Sequence, residues 1–395
     1  MRVCGVVCEY NPFHRGHALH LRLARARAGA DYVVCVMSGA LTQRGHFARH
    51  DKWTRARMAL ESGADLVLEL PVRFACASAP DFARGGVGLL CALGVVTHLS
   101  FGCEAEALPH LSAAARLLGE ESPALRGALR EGMARGLSYP QAMGETLRLC
   151  LPPEGAQACA LPNAALALEY LRALPGSITP VPVAREGAGY HDEALAPLAS
   201  ATAVRAALER GDLPGALSAV PCPDLLRSAE ERGAIHAPEA LTQALLCRLR
   251  TTDAAALSDV PGMDEGLEHR FLDAARTCPT RDALILAVKS RRYTYARLSR
   301  LCALTLLGAT RAQWQAQPAP AWARILGFRR SAAPLLREIK RRAAVPLFTR
   351  AAELSRSDAR FALDVRAQDL WALGCASPAQ RDAGRDFTTS PIIIP

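Results

Sequence analysis

Four short apolar runs, Val3–Cys8, Tyr32–Met37, Asp65–Leu70 and Thr97–Phe101, recur about every thirty residues at the start of this chain. Helical patterns fill the intervals, over His17–Arg27, Lys52–Glu61 and Ala79–Leu93. Strands that are apolar on both faces and separated by helices belong in a parallel sheet covered on both sides. Right-handed crossovers then predict an α/β fold, a doubly wound parallel sheet of Rossmann-like type. A fifth run, "ITPVPVAR" (Ile178–Arg185), carries Pro180 and Pro182, which cannot donate to a ladder, so it is expected at a sheet edge. Residues 105–160 read as helical and are expected to form an insertion beside the sheet.

A chain of 395 residues has room for two cores, and the reading divides it into residues 1–215 and residues 216–395. Half of the residues are hydrophobic and 22% are charged, which excludes a disordered chain. The opening "MRVCGVVCEYNP" reads as a buried strand, not a signal peptide. Apolar runs fall short of the ~18 residues that span a bilayer. A cytoplasmic protein without a membrane role is expected, and no protein partner is implied. Thirteen cysteines are scattered with no C-x-x-C pair, so buried reduced thiols are expected and no metal site.

In a doubly wound sheet, ligands bind where strand C-terminal ends meet helix N-termini. There the chain places "EYNPFHRGH", "MSGALTQRGH", "ELP" and "FGCE" after the four successive strands. His14 lies in the first of these loops and His17 in the opening turn of the following helix. A helix N-terminus offers free amides and a positive dipole end, an anion site. Two imidazole donors there suit negative charge developing on an α-phosphate as pyrophosphate departs. Gly16 would allow close approach to the backbone. A loop histidine and a capping histidine without chemistry are the plain alternative.

"HRGH" after a first strand resembles the HxGH motif of the nucleotidyltransferase superfamily. "SATAVR" (Ser200–Arg205) resembles that superfamily's ISSTxxR element, with Ser200 as helix cap and Arg205 as phosphate partner. A closer likeness runs through "DKWTRARMALESGADLVLELPV", "LPNAALALEYLRAL", "AREGAGYHD", "LGFRRSAAPLLREIKRR" and "GRDFTTSP". Together these are similar to the tRNA(Met) cytidine acetate ligase family. The resemblance implies an AMP- and pyrophosphate-forming ligase that activates acetate with ATP, with Mg2+, as acetyl-adenylate. It then transfers acetyl to N4 of the wobble cytidine of elongator tRNA(Met), giving N4-acetylcytidine. Carried onto this chain, the catalytic residues are His14, His17 and Arg205. ATP is implied along Val7, Cys8, Glu9, Tyr10, Asn11, Pro12, Phe13, His14, Arg15, Gly16, His17, Ala18, Leu19 and His20, with Gly102, Asn163, Arg185 and Ser200 completing its site. Ala40 and Glu186 depart from the family pattern, where asparagine and an aliphatic residue are expected.

Past Gly211 strand signals stop, so residues 216–395 are expected to form a basic α-helical domain that binds tRNA. Between Arg281 and Arg350 stand fifteen Lys or Arg against two acids, Asp282 and Glu338, a local net of +13 in a chain whose total is +9. Such a block calls for a polyanion. Tyr293 and Tyr295 are candidates to stack on exposed bases. Trp53 is expected in the core, and Lys52 and Arg55 on the exposed face of their helix. Alternatives are a nucleotidyltransferase of a small metabolite, or an RNA-binding protein that only senses ATP. The favoured reading expects the basic faces of residues 290–300 and 329–342 to share one cleft with His17.

Overall fold

The computed structural model describes residues 1–120, 122–161, 163–184 and 198–395. Strands β1 (Val3–Cys8), β2 (Tyr32–Ser38), β3 (Leu66–Leu70), β4 (His98–Gly102) and β5 (Thr179–Val183) are all parallel, in the order β5-β4-β1-β2-β3. Chain order reverses between β1 and β4, so the switch point lies at their C-terminal ends. The proline-bearing β5 takes the edge, as its two missing donors require.

Alternation along β2 sends Val34 and Val36 to one face and Val33, Cys35 and Met37 to the other. The first face packs under helices Ala79–Ala92, Ala164–Ala173 and Ala333–Arg342. Helices α1 (Arg15–Ala28) and α2 (Lys52–Glu61), with Ala201–Glu209, cover the second. The expected insertion is four helices between Leu108 and Cys159, with a small core of its own around Leu118, Leu125, Met143 and Leu147.

The second half departs from the all-helical expectation. Most of it is helical, but β6 (Ala323–Arg329) joins the sheet antiparallel to β3, and β7 (Leu347–Phe348) and β8 (Ile392–Ile394) pair with β6. The segment "ARILGFR" is apolar at Ile325, Leu326 and Phe328, but its flanking arginines disguise a buried strand as part of a basic block. Those charges are satisfied internally. Arg324 lies in the core with Lys52, both paired with Glu69 of β3 and with Asp386 of the C-terminal segment. The Lys52 Nζ contacts are 2.6 and 2.7 Å and the Arg324 Nη1 contacts 2.8 and 2.6 Å. Burial opposes the charge on Asp386, yet the adjacent Lys52 and Arg324 hold its carboxyl below the usual range.

The helices between Thr242 and Leu307 pack with Leu363–Cys375 into a further core that takes in Leu41, Val72 and Cys76. These three residues follow β2 and β3, so this helical body is seated on the C-terminal edge of the sheet, the edge that holds the switch point.

Removing one member of a buried, balanced charge cluster strands the others. Asp386→Ala should therefore cost about 3–5 kcal/mol, read as a fall in urea midpoint. Phe387→Ala next to it, at a half-exposed side chain, should cost about 0.5 kcal/mol or less.

Candidate active site

The loop from β1 to α1 is built around two imidazoles. Tyr10 takes a left-handed φ of 52° and the Asn11–Pro12 bond is cis, a turn that brings His14 to the N-cap of α1. His14 Nδ1 accepts from the Gly16 amide at 3.1 Å, and His17 Nδ1 accepts from the His14 amide at 3.3 Å. This is a capping box with imidazoles in place of the usual Ser and Glu. With Nδ1 accepting in both rings, these hydrogen bonds assign the neutral tautomer that carries its proton on Nε2, a donor directed away from the helix. The ring centroids are 3.7 Å apart, and His17 also leans on Tyr10 at 4.9 Å and Phe13 at 5.6 Å. A Cβ on Gly16 would lie 2.9 Å from His14 Cε1, so the glycine makes room for the capping imidazole itself.

The distant motif meets this loop. Ser200 Oγ caps its helix by accepting from the Ala203 amide at 3.0 Å. One turn on, Arg205 donates from Nη1 to the Asn11 carbonyl at 2.5 Å and from Nη2 to Thr202 Oγ1 at 3.2 Å. A guanidinium, two imidazoles and the N-terminus of α1 therefore face the switch point together.

Glu9 and the β2 loop form the next wall. Glu9 Oε1 accepts from the Gln43 amide at 2.6 Å. Burial raises its pKa, against the Gln43 amide and the charges of Arg205, Arg55 and Arg44. Arg55 is wholly buried, not solvated as its place on α2 suggested. It donates to the carbonyls of Glu9 at 2.6 Å, Ser38 at 2.9 Å, His50 at 3.0 Å and also Gly39. Lys52 is equally buried, and Trp53 is core as expected. The sequence signal for a solvated face failed because both cations lie on a turn of helix whose polar partners come from distant strands.

The tip of the same loop rests on helix Tyr295–Leu307. Ser299 Oγ donates to the Arg44 carbonyl at 2.7 Å, and Arg281 Nη2 donates to the Gly45 carbonyl at 3.0 Å. Gly45 has φ 76°, and a Cβ there would lie 2.5 Å from the Arg300 amide nitrogen, so backbone meets backbone. His46 follows with an exposed ring. Burial of its surroundings, helped by Arg281 and Arg205, nevertheless pushes its pKa down to about 4.

The basic block divides. Residues 290–300 lie on the same side as this loop. Residues 329–342 do not: Arg329 donates to the Leu60 and Ala64 carbonyls ahead of β3, and Arg342 touches Gly94 ahead of β4. That is the opposite edge of the sheet, so the expected single basic cleft does not form from both segments. Tyr293 is also no base platform, being buried with its hydroxyl on Glu265 at 2.9 Å.

Comparison with known proteins agrees with this geometry. The family model for HIGH Nucleotidyl Transferase matches residues 1–386. A tRNA(Met) cytidine acetate ligase of Syntrophomonas wolfei is 36% identical over 413 aligned residues, covering 99% of each chain. That of Acetivibrio thermocellus is 34% identical over the full length of both. The crystal structure of Thermotoga maritima TmcAL bound with alpha-thio ATP superposes with a TM-score of 0.93, at 31% identity and full coverage of both chains. The chain belongs to the tRNA(Met) cytidine acetate ligase family.

The remaining residues that the family pattern implies are placed as follows. Gly102 ends β4, exposed, and a Cβ there would meet nothing within 4 Å. His20 Nε2 is 3.1 Å from Ser100 Oγ on β4, and burial pushes its pKa down to about 4. Asn163 precedes helix Ala164–Ala173 without making a side-chain cap bond. Two turns on, Tyr170 packs on Phe101 at 5.9 Å, which seats this helix over the same strand ends. Val7, Cys8, Tyr10, Pro12 and Phe13 are packing residues of the strand and turn, partly or wholly buried. Arg15 points outward to the Ser218 carbonyl at 2.8 Å, and Ala18 packs toward the α2 side. Leu19 is half-buried on α1, and Ala40 is buried beside Leu41. Arg185 and Glu186 lie outside the described residues.

Burial holds the His20 and His236 imidazoles down to about 4, while an unfolded histidine titrates near 6.5. Between those values the unfolded chain binds protons that the native chain refuses. Stability is then complete above pH ~6.5 and falls as pH drops toward 4. Melting temperature should decline from pH 7 to pH 4.5. His236, buried against Phe47 with Nδ1 3.0 Å from the Trp371 carbonyl oxygen, should account for on the order of 2 kcal/mol of that loss, measurable as a shallower decline in His236→Gln.

Proposed function

We propose that this chain is an ATP-dependent ligase that acetylates N4 of the wobble cytidine of elongator tRNA(Met). The observation that carries the proposal is the pair of Nε2–H donors at the N-terminus of α1, with Arg205 tied to Asn11 of the same loop. An acetate oxygen attacks the α-phosphorus, the bond to the β-phosphate oxygen breaks, and pyrophosphate leaves. His14, His17 and the α1 amides stabilise charge growing on the α-phosphate, and Arg205 attends the departing phosphates. The exocyclic amine then attacks the acetyl carbonyl, sheds a proton and releases AMP.

ATP would lie over the ends of β1 and β4, against the open space at Gly102. Mg2+ would arrive on the triphosphate. Among the described residues no cluster of three or more His, Cys, Asp or Glu side chains is built to hold a metal, and an ion that keeps its phosphates and waters needs none. Residues 1–215 would perform adenylation, and residues 216–395 would hold the RNA while lending three strands to the sheet. A metabolite nucleotidyltransferase would leave the exposed Lys289 and Arg291 of the second half without a role.

Two outcomes test this reading. Pyrophosphate exchange into ATP should depend on acetate, be weaker with other small carboxylic acids, and require no tRNA; exchange indifferent to acetate would refute it. Because Gln at the third helical position preserves a capping box, His17→Gln should melt like the native protein. It should still lose roughly 10²-fold or more in exchange rate, as His17→Ala does. Full exchange by His17→Gln would reduce His17 to a helix cap.

A further inference from the structure

A cleft of about 600 Å³ opens between the helical insertion and the second half. Ser138 and Gln141 form one wall, and Leu286, Lys289, Arg291 and Tyr295 the other. Most arginines of the basic block are spent inside the protein. Arg281 holds the β2 loop, Arg292 pairs with Glu265, Arg311 pairs with Asp264, and Arg324 is buried in the charge cluster. Arg297 lies over the Tyr293 ring at 5.0 Å. Lys289 and Arg291 are different: both are exposed, and neither has an ion-pair or hydrogen-bond partner among the described residues.

Tyr295 connects this cleft to the active site. Its hydroxyl is fixed on Asp282, and its ring lies within 16° of parallel to that of His46, with centroids 6.4 Å apart. His46 in turn belongs to the loop that Glu9 grips through Gln43 and that Asn11 holds through the Arg49 amide at 2.8 Å, and the Asn11 carbonyl carries Arg205. A path thus runs from two unpaired cations, past two near-parallel rings, to the guanidinium beside Asn11. Cations spaced along a groove beside aromatic faces match the alternation of phosphate and base in single-stranded nucleic acid.

We propose that this cleft is the entry for the acceptor strand, with Lys289 and Arg291 taking backbone phosphates and the target pyrimidine stacking on the Tyr295–His46 pair. The proposal rests on the acetyl-transfer reading above and assigns its RNA subsite. Tyr295 and His46 are positioning residues there: they hold the base where its amine reaches the acyl carbon.

The test measures acetyl transfer to tRNA and tRNA binding in Tyr295→Ala, Tyr295→Phe and Lys289→Ala/Arg291→Ala, with acetate-dependent pyrophosphate exchange as control. Tyr295→Ala should lose roughly 10- to 100-fold in kcat/KM for tRNA, whereas Tyr295→Phe keeps the ring and should transfer almost normally. The double variant should bind tRNA more weakly and lower the slope of log affinity against log salt by about 1 to 2. A short pyrimidine oligonucleotide should compete with tRNA, and a polyglutamate peptide should not. Native salt dependence and transfer in the double variant would overturn the proposal. Equal loss in Tyr295→Phe and Tyr295→Ala would do so too, as would competition by polyglutamate matching that of the oligonucleotide. Absence of exchange in the unmodified protein would instead overturn the acetyl-adenylate reading, and the binding and salt measurements would still judge the cleft.

Discussion

Two cations and two carboxylates enclosed in the core, Lys52 and Arg324 with Glu69 and Asp386, tie together four segments that are remote in sequence. Each charge would be costly alone, and together they cancel. Their position gives the cluster its reach. Glu69 sits at the C-terminal end of β3, and a Cβ on Gly39 would lie 2.4 Å from its Oε1. The opening of the β2 loop is therefore moulded on the cluster. Asp386 fixes the C-terminal segment that leads to β8, and Arg324 fixes the strand that welds the second half to the sheet. An apolar cluster of similar volume would bury as well, but it would not specify which carboxylate meets which cation, and hence which register the late strands adopt.

From that base the β2 loop is held on two sides. Arg55 gathers the carbonyls that end β1 and β2, and the Gln43 amide clasps Glu9. The loop's far side presses Gly45 against the backbone of helix Tyr295–Leu307. The loop after β1 and the second half therefore share one short piece of backbone that is held on both sides. Rigidity matters for a two-step reaction, because the acyl carbon made in the first step must already lie where the second nucleophile arrives.

The parallel sheet was legible because its signal is periodic: buried strands and covering helices alternate strongly enough that β1 is read to the residue and the others within one or two. The β6 strand was not, since Arg324 and Arg329 at its ends look like surface charge until their distant partners are known. Lys52 and Arg55 failed in the same way. Charge along a sequence reports how many counter-charges are needed, not whether protein or ligand supplies them. Thus the +13 block was a real excess, but much of it neutralises carboxylates or carbonyls inside the fold, and one portion faces the opposite edge of the sheet. The imidazole pair, by contrast, drew notice by its place at a strand-to-helix turn and by its HxGH likeness, and both are local features of the chain.

Under the proposed reaction, imidazoles suit that cap because of what the first step would require. A lysine or arginine at either position would carry full charge before and after reaction and would grip ATP's ground state as firmly as its transition state, which lowers KM without raising turnover. A neutral imidazole held by its Nδ1 offers one directed Nε2–H dipole. Such a donor gains most where charge develops on the α-phosphate, and it needs no reorganisation to do so. The capping box supplies the orientation: each ring is fixed by a backbone amide of the turn it helps to form, so helix initiation and transition-state geometry are set by the same two hydrogen bonds. In that reaction Arg205 would attend the phosphates that leave, where a fixed charge is useful, and its anchor on the Asn11 carbonyl holds it at the same loop as the imidazoles. The proposed division of labour, with directed dipoles at the reacting atom and a full charge at the leaving group, would then need only one loop and one helix turn.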